Sequence, residues 1–292
     1  MLNILVSGAS GLIGHELCRK LSSENNVYAI SRNSPKLDSV NFINFDLSKE
    51  FNFKILPKKI DVIYHLCQSY NFRNFPYSAI EVFNVNTSST LKLLDYASKI
   101  GCKKFIYASS GGVYNESDIS QVERCKIDLN HSHNFYSNTK LSSELILNSY
   151  SSLLDIVICR FFFVYGERQK KDMLIPRLVN NVIKNQAIIL DGDQGIRINP
   201  IYFEDAVNAL LKTQDLKGLN RINIAGEKIY SIKEICDKIG EISNTKPIYN
   251  FSNKESINIL GNTNKLRSLD FISKVNLYTG IQKLVKSFEF GK

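Results

Sequence analysis

Ser7-Gly8-Ala9-Ser10-Gly11-Leu12-Ile13-Gly14 follows an apolar run, Asn3 to Ser7, and opens an apolar-periodic segment, Leu12 to Leu21. The run reads as a buried strand and the segment as a helix. That strand–loop–helix context is what a dinucleotide-binding loop requires. Glycines let the main chain turn sharply and approach a diphosphate closely. The helix start then offers unpaired N–H groups and a partial positive charge to it. Gly8, Ser10, Gly11, Leu12, Ile13 and Gly14 are therefore the expected phosphate-binding residues.

The rhythm set there continues. Val27 to Ile30, Phe42 to Phe45, Asp61 to Leu66, Lys104 to Ser109 and Asp155 to Phe162 read as further strands. A long helical stretch ends at Lys99, and another helix covers Tyr136 to Tyr150. Near-continuous apolar strands alternating with helices predict a parallel sheet covered on both faces, a doubly wound α/β fold. After Gly166 the pattern changes. Met173 to Lys184 reads as a helix, Ala187 to Leu190 and Ile198 to Tyr202 as strands, and Glu204 to Lys212 as a helix. Ser231-Ile232-Lys233-Glu234 is a capping box that starts a helix to about Ile239, and a last helix spans Leu277 to Phe288. Residues 1–165 with 197–225 are expected to form the dinucleotide-binding domain, and 166–196 with 226–292 a smaller mixed α/β lobe over the sheet edge that takes the substrate.

Composition is that of an ordinary globular chain. The chain has 292 residues, 43% apolar and 22% charged, enough for about two domains of roughly 150 residues. No apolar run reaches the ~18 residues of a membrane span. The start lacks a basic leader, so no signal peptide is expected. The 37 basic residues exceed the 28 acidic ones by nine but are dispersed. That favours attraction of a small anionic ligand over nucleic-acid binding. Six scattered cysteines without a Cys-x-x-Cys pair read as free thiols of a cytoplasmic protein. His131-x-His133 has no partner cluster, so no metal is expected.

Two further stretches carry chemistry. Tyr136 and Lys140 are four apart and share a helix face. Lowering a tyrosine phenol from its usual value near 10 by about three units takes roughly 4 kcal/mol, within reach of a nearby ammonium in a partly buried site. Tyr136 is thus the expected acid/base and Lys140 its tuning cation. Upstream, Phe105 to Ser109 runs into Ser110, a hydroxyl at the carboxyl edge of the sheet, where such folds bind ligands. The second strand ends Ile30-Ser31-Arg32, without the acid that usually holds a ribose 2′-hydroxyl. Ser31 and Arg32 suit a 2′-phosphate and tilt the expectation toward NADP over NAD. Asp46 is placed to accept from the adenine amino group.

With these residues together, the chain resembles the NAD-dependent epimerase/dehydratase family of extended short-chain dehydrogenases/reductases, a Rossmann-fold family. Gly8-x-x-Gly11-x-x-Gly14 resembles its cofactor loop and Asp46-Leu47 its adenine motif. Ile63-Tyr64-His65-Leu66-Cys67 resembles its fourth strand, with Cys67 where alanine is usual. Asn84-Val85-Asn86-Thr87 resembles the stretch beside the nicotinamide, and Arg160 to Gly166 the strand leaving the cofactor domain. The resemblance implies that Leu47, Leu66, Cys67 and Asn86 join the cofactor site. It also implies that Ser110, Tyr136 and Lys140 are the catalytic triad and that Arg197 meets the substrate diphosphate. Gly111 and Gly112 stand where the family's dehydratases carry an Asp-Glu pair, which argues against 4,6-dehydration. Phe163 stands where many nucleotide-sugar enzymes have asparagine against the substrate phosphates.

The resemblance implies an NAD(P)-dependent epimerase or oxidoreductase transferring hydride at a sugar-nucleotide carbon, and a homodimer built on two helices. Two alternatives are an NADPH-dependent reductase of a keto-sugar nucleotide or other carbonyl compound, and a non-catalytic NAD(P)-binding regulator on the same scaffold.

Overall fold

A computed structural model describes residues 1–50, 53–115, 117–130 and 134–290. The chain opens with β1 (Asn3–Ser7), α1 (Leu12–Leu21), β2 (Asn26–Ser31), β3 (Asn41–Asn44) and β4 (Val62–His65). Next come α2 (Ala79–Phe83), a π-helical turn Asn84–Ser88 and α3 (Ser89–Lys99), continuous from one to the next. Then follow β5 (Lys104–Ser110), α4 (Phe135–Ser149) and β6 (Asp155–Phe161). The third strand begins and ends one residue earlier than its apolar pattern predicts.

Beyond β6 lie β7 (Val164–Tyr165), α5 (Leu174–Ile183), β8 (Ile188–Asp191), β9 (Arg197–Ile198), β10 (Ile201–Tyr202) and α6 (Phe203–Lys212). The chain continues through β11 (Leu219–Ile224), β12 (Tyr230–Ser231), α7 (Ile232–Ser243), β13 (Tyr249–Ser252), α8 (Asn264–Arg267) and α9 (Leu277–Phe290).

Seven strands form one sheet in the order β11-β6-β5-β4-β1-β2-β3. β1 pairs in parallel with β2 (Asn3 opposite Asn26) and with β4 (Ile4 opposite Val62). β4–β5 and β2–β3 are parallel too. Ile156 N donates to Gly218 O and Phe162 N to Ile224 O, six residues on in both strands, so β6 and β11 also run alike. Strands rich in Ile, Val and Leu suit such a sheet because both faces are covered, and all four residues of β4 are buried. The strand order reverses between β1 and β4. In open α/β sheets the crevice beyond the carboxyl ends of two such strands is where ligands bind.

The chain divides into two compact units. The first comprises residues 1–113, 127–160 and 210–222 and holds most of the sheet. Leu5, Ile63, Leu93 and Phe105 are fully buried in its core, each contributing about 1.5–3 kcal/mol.

The second unit comprises residues 114–126, 161–209 and 223–292. Here the expected strand Ile198 to Tyr202 is broken at Asn199-Pro200. β9 pairs antiparallel with β12, and β10 pairs in parallel with β7. Pro200 has no N–H to give a ladder. The Asn199 side chain bridges the gap by donating to the carbonyls of Gly226 (3.0 Å) and Gly261 (2.7 Å). The capping box forms in both halves: Glu234 N donates to Ser231 Oγ at 3.1 Å and Ser231 N to Glu234 Oε2 at 2.7 Å. The helix it starts runs on to Ser243 instead of stopping near Ile239.

Candidate active site

The glycine loop lies at the switch point. Gly8 has φ 74°, and a Cβ there would come 2.9 Å from Cys67 N at the end of β4. Only glycine accepts both the left-handed conformation and the close approach of the β1 and β4 ends. A Cβ on Gly14 would stand 2.2 Å from Gly8 O, so α1 can pack onto the loop only with a hydrogen at that position. Gly8 N and Ala9 N donate to Ile30 O at 3.0 and 3.2 Å and tie the loop to β2. Gly11 caps α1 without a side chain, and Leu12, Ile13 and Gly14 form its first turn. Their N–H groups have no intrahelical partner and point outward from the helix start. Ser10 and Gly11 are exposed. This cradle fits the diphosphate of a dinucleotide.

Ser31 and Arg32 follow at the end of β2. Ser31 is buried and its hydroxyl donates to Asn33 O at 2.7 Å, while Arg32 is exposed. Burial works against the Asp46 carboxylate. Hydrogen bonds from Ser48 and the Arg32 and Lys49 charges nonetheless hold it below the usual carboxylate range. Leu47 is buried beside it.

Ser110, Tyr136 and Lys140 are brought together where β5 ends against α4. The Ser110 hydroxyl lies beside the Tyr136 phenol, favouring its ionised form, and accepts from Gly112 N at 3.1 Å. Lys140 is 1% exposed. Its ammonium donates to Ala108 O at 2.7 Å and lies 5.9 Å from the centroid of the Tyr136 ring. Asn134 sets the start of α4, its side chain accepting from Ser137 N at 2.9 Å. Gly111 and Gly112 follow Ser110 directly, so no carboxylate stands there.

Burial shapes the electrostatics of Tyr136 and Lys140. Burial, which penalises the phenolate, pushes Tyr136 up to about 12, against a hydrogen bond from Ser110. Burial also pushes Lys140 down to about 8, although Cys67 and Glu144 pull it upward. In the ligand-free chain burial thus disfavours the charged form of both residues.

Beneath these residues lies a buried polar layer that spacing alone did not disclose. Asn86, in the π-helical turn, accepts from Ser69 N at 3.0 Å and donates to Thr139 Oγ1 at 3.0 Å, joining the end of β4 to α4. His65 meets Ser7 Oγ at 2.6 Å and Thr90 Oγ1 at 3.1 Å, and burial drives it down to about 3, so it is neutral. Glu144, one turn beyond Lys140, accepts from Arg160 through Nε (3.0 Å) and a second guanidinium nitrogen (2.6 Å), and from Ser109 Oγ (2.6 Å). In the sequence Arg160 stands only at the start of the stretch that resembles the strand leaving the cofactor domain, with no sign of its pairing with Glu144. The π turn gave no sequence signal, being helical in every local preference.

Arg197 and Phe163 belong to the second unit. Arg197 is exposed, its guanidinium 3.8 Å from Asp118 and its N–H donating to Asn258 Oδ1 at 2.7 Å. Phe163 has φ 43°, a region that asparagine and glycine enter more readily than an aromatic residue. All six cysteines are free, Cys67 and Cys125 partly exposed and the others buried. His131 and His133 lie outside the described residues. Among the described residues no group of three or more His, Cys, Asp and Glu side chains could hold a metal, and no helix is long and apolar enough to cross a membrane.

Residues 4–225 match the NAD dependent epimerase/dehydratase family. The chain belongs to this family. Members of the epimerase/dehydratase family are enzymes, and so is this chain. A putative UDP-glucose 4-epimerase of Methanocaldococcus jannaschii is 29% identical, the match covering 97% of both chains. An uncharacterized UDP-glucose epimerase of Bacillus subtilis, YtcB, is 29% identical over 87% of this chain and 86% of its own. Among solved structures, a UDP-glucuronic acid 4-epimerase from Bacillus cereus in complex with NAD superposes with a TM-score of 0.87 at 26% identity, covering 100% of this chain and 99% of that one. MoeE5 in complex with UDP-glucuronic acid and NAD gives 0.86 at 25% identity, covering 99% and 100%. These relatives favour neither a keto-sugar reductase nor a non-catalytic regulator.

Proposed function

We propose that this member of the epimerase/dehydratase family inverts C4 of a UDP-sugar, holding NAD through the reaction. The gathering of Ser110, Tyr136 and buried Lys140 at the carboxyl edge of β5 carries this reading. When bound, the nicotinamide supplies the hydride acceptor and donor. Ser110 orients the reacting sugar oxygen. Tyr136 takes the proton from that oxygen and returns it, which general acid/base catalysis makes worth about 10²–10⁴-fold. Lys140, protonated below about 8, supplies the positive charge beside which the phenol gives up its proton. Gly111 and Gly112 leave no acid for eliminating water, which supports epimerisation over dehydration.

NAD is proposed over NADP. The Ser31 hydroxyl is already engaged by Asn33 O, and the similar structures carry NAD. The tilt toward NADP read from Ser31-Arg32 has no support in those relatives. Arg197 and Phe163, with the second unit around them, are proposed to meet the substrate. A homodimer is proposed through α3 and α4, where Leu91 and Leu145 are exposed. Free thiols favour a cytoplasmic location.

Mass spectrometry of nucleotide carried through native purification, with proton NMR of UDP-glucose and UDP-glucuronate incubations, tests this reading. Retained NAD and C4 inversion of one of them are expected. Empty protein that consumes NADPH with a keto-sugar nucleotide would overturn it.

A further inference from the structure

Gln68, just past β4, lies outside every motif discussed above. The Tyr136 phenol donates to its Oε1 at 2.9 Å. Both ends of this contact are tied down. Ser69 N, the next residue, donates to Asn86, whose side chain donates to Thr139 on α4, three residues after Tyr136. Ser69 Oγ and Asn71 Nδ2 donate to the two oxygens of Glu81 at 2.7 and 2.6 Å, fixing the course of the loop. Phe72 packs on the Tyr136 ring, with centroids 5.0 Å apart. Gln68 is exposed, and the braced loop fixes where its side chain meets the phenol at the open face of the site.

We propose that Gln68 is a positioning residue of the reaction centre: its carboxamide oxygen accepts from and orients the neutral Tyr136 phenol in the substrate-free site, and the phenol releases its proton to solvent, breaking this contact, before it takes the proton of the substrate hydroxyl. As oriented, the carboxamide turns its oxygen to the phenol and accepts from the neutral form, while its NH2, the donor that could serve a phenolate, is turned away. The contact therefore stabilises the neutral form and opposes ionisation. The other groups around the phenol are Lys140 on its own helix and Ser110 and Tyr107 on β5, with Cys67, past the end of β4, facing Lys140. Arg73 stacks on the far partner, 4.9 Å from the Phe72 ring centroid. Substitution at Gln68 alters none of these.

The inference rests on Tyr136 being the proton carrier, and its test does not depend on turnover. Ring-fluorinated tyrosine at position 136, which ionises at lower pH than tyrosine, is titrated by fluorine NMR in the full chain and in Gln68→Leu and Gln68→Glu. The Leu variant should lower the midpoint by roughly half a unit to one unit, the value of one neutral hydrogen bond. The Glu variant, an acceptor carrying charge, should raise it by at least as much. Gln68→Met repeats the first arm if the Leu variant misfolds. The order Glu above Gln above Leu supports the proposal, and any other order, or coincident midpoints, overturns it. In the unmodified enzyme the acid limb of kcat should move in the same order. The expected NMR order without turnover of any UDP-sugar would leave Gln68 in place and refute the proposed reaction instead.

Discussion

Lys140 Nζ donates to Ala108 O at 2.7 Å while standing 5.9 Å from the centre of the Tyr136 ring. The cation is thus anchored to the main chain of β5, and its fixed point is the sheet edge, not the phenol. Such a buried charge is costly, and the cost is visible in its displacement from 10.5 to about 8. That displacement corresponds to roughly 3 kcal/mol when the lysine is protonated.

Lys140→Met should therefore stabilise the ligand-free protein near pH 7, by roughly 1–3 kcal/mol, while abolishing activity. The sign follows from proton counting. Between about 8 and 10.5 the unfolded chain binds the proton and the folded chain does not, so wild-type stability gains with pH across that window. Denaturant midpoints at pH 7 and pH 10 check this. The advantage of the variant should shrink at the higher pH.

Glu144 is 2% and Arg160 3% exposed at the side chain, joined at 2.6 Å. Glu144→Ala removes the acceptor of two Arg160 hydrogen bonds in a buried site and should lower stability by about 3–5 kcal/mol. The double variant Glu144→Met, Arg160→Met should recover most of that. Urea unfolding of all three checks it, and a single-variant loss below about 1 kcal/mol would contradict the weight given to this pair.

Gly14→Ala places a Cβ against a backbone oxygen, a contact that no rotamer change relieves. The expected loss is roughly 1–3 kcal/mol of stability from forced backbone movement. Nucleotide retention should fall at least about tenfold, because the moved backbone carries the N–H groups of the cradle. Absorbance of the purified variant and isothermal titration with NAD measure the second effect.

Much of this was legible in the sequence. β1 and α1 fall on the residues the glycine loop implied, because strand, turn and helix start all depend on local chemistry there. The Ser231 capping box is legible for the same reason. β11 escaped notice: Leu-Asn-Arg-Ile-Asn-Ile mixes polar residues into a strand whose burial comes from its place beside β6. The Asn199-Pro200 break was hidden inside an apolar run. Ser110, Tyr136 and Lys140 were readable as types at a spacing. Desolvation was not, since it depends on what covers a side chain, and in the ligand-free chain it pushes the Tyr136 phenol up. Gln68 was invisible because the contact that matters spans 68 positions of sequence.

The most direct test compares wild-type protein with Tyr136→Phe, both quantified for bound NAD, by proton NMR of C4 inversion in the UDP-sugar that the wild type accepts. The variant should carry as much NAD as the wild type and invert C4 about 10²–10⁴-fold more slowly. Equal rates at equal NAD content would contradict the role of Tyr136 and the mechanism built on it.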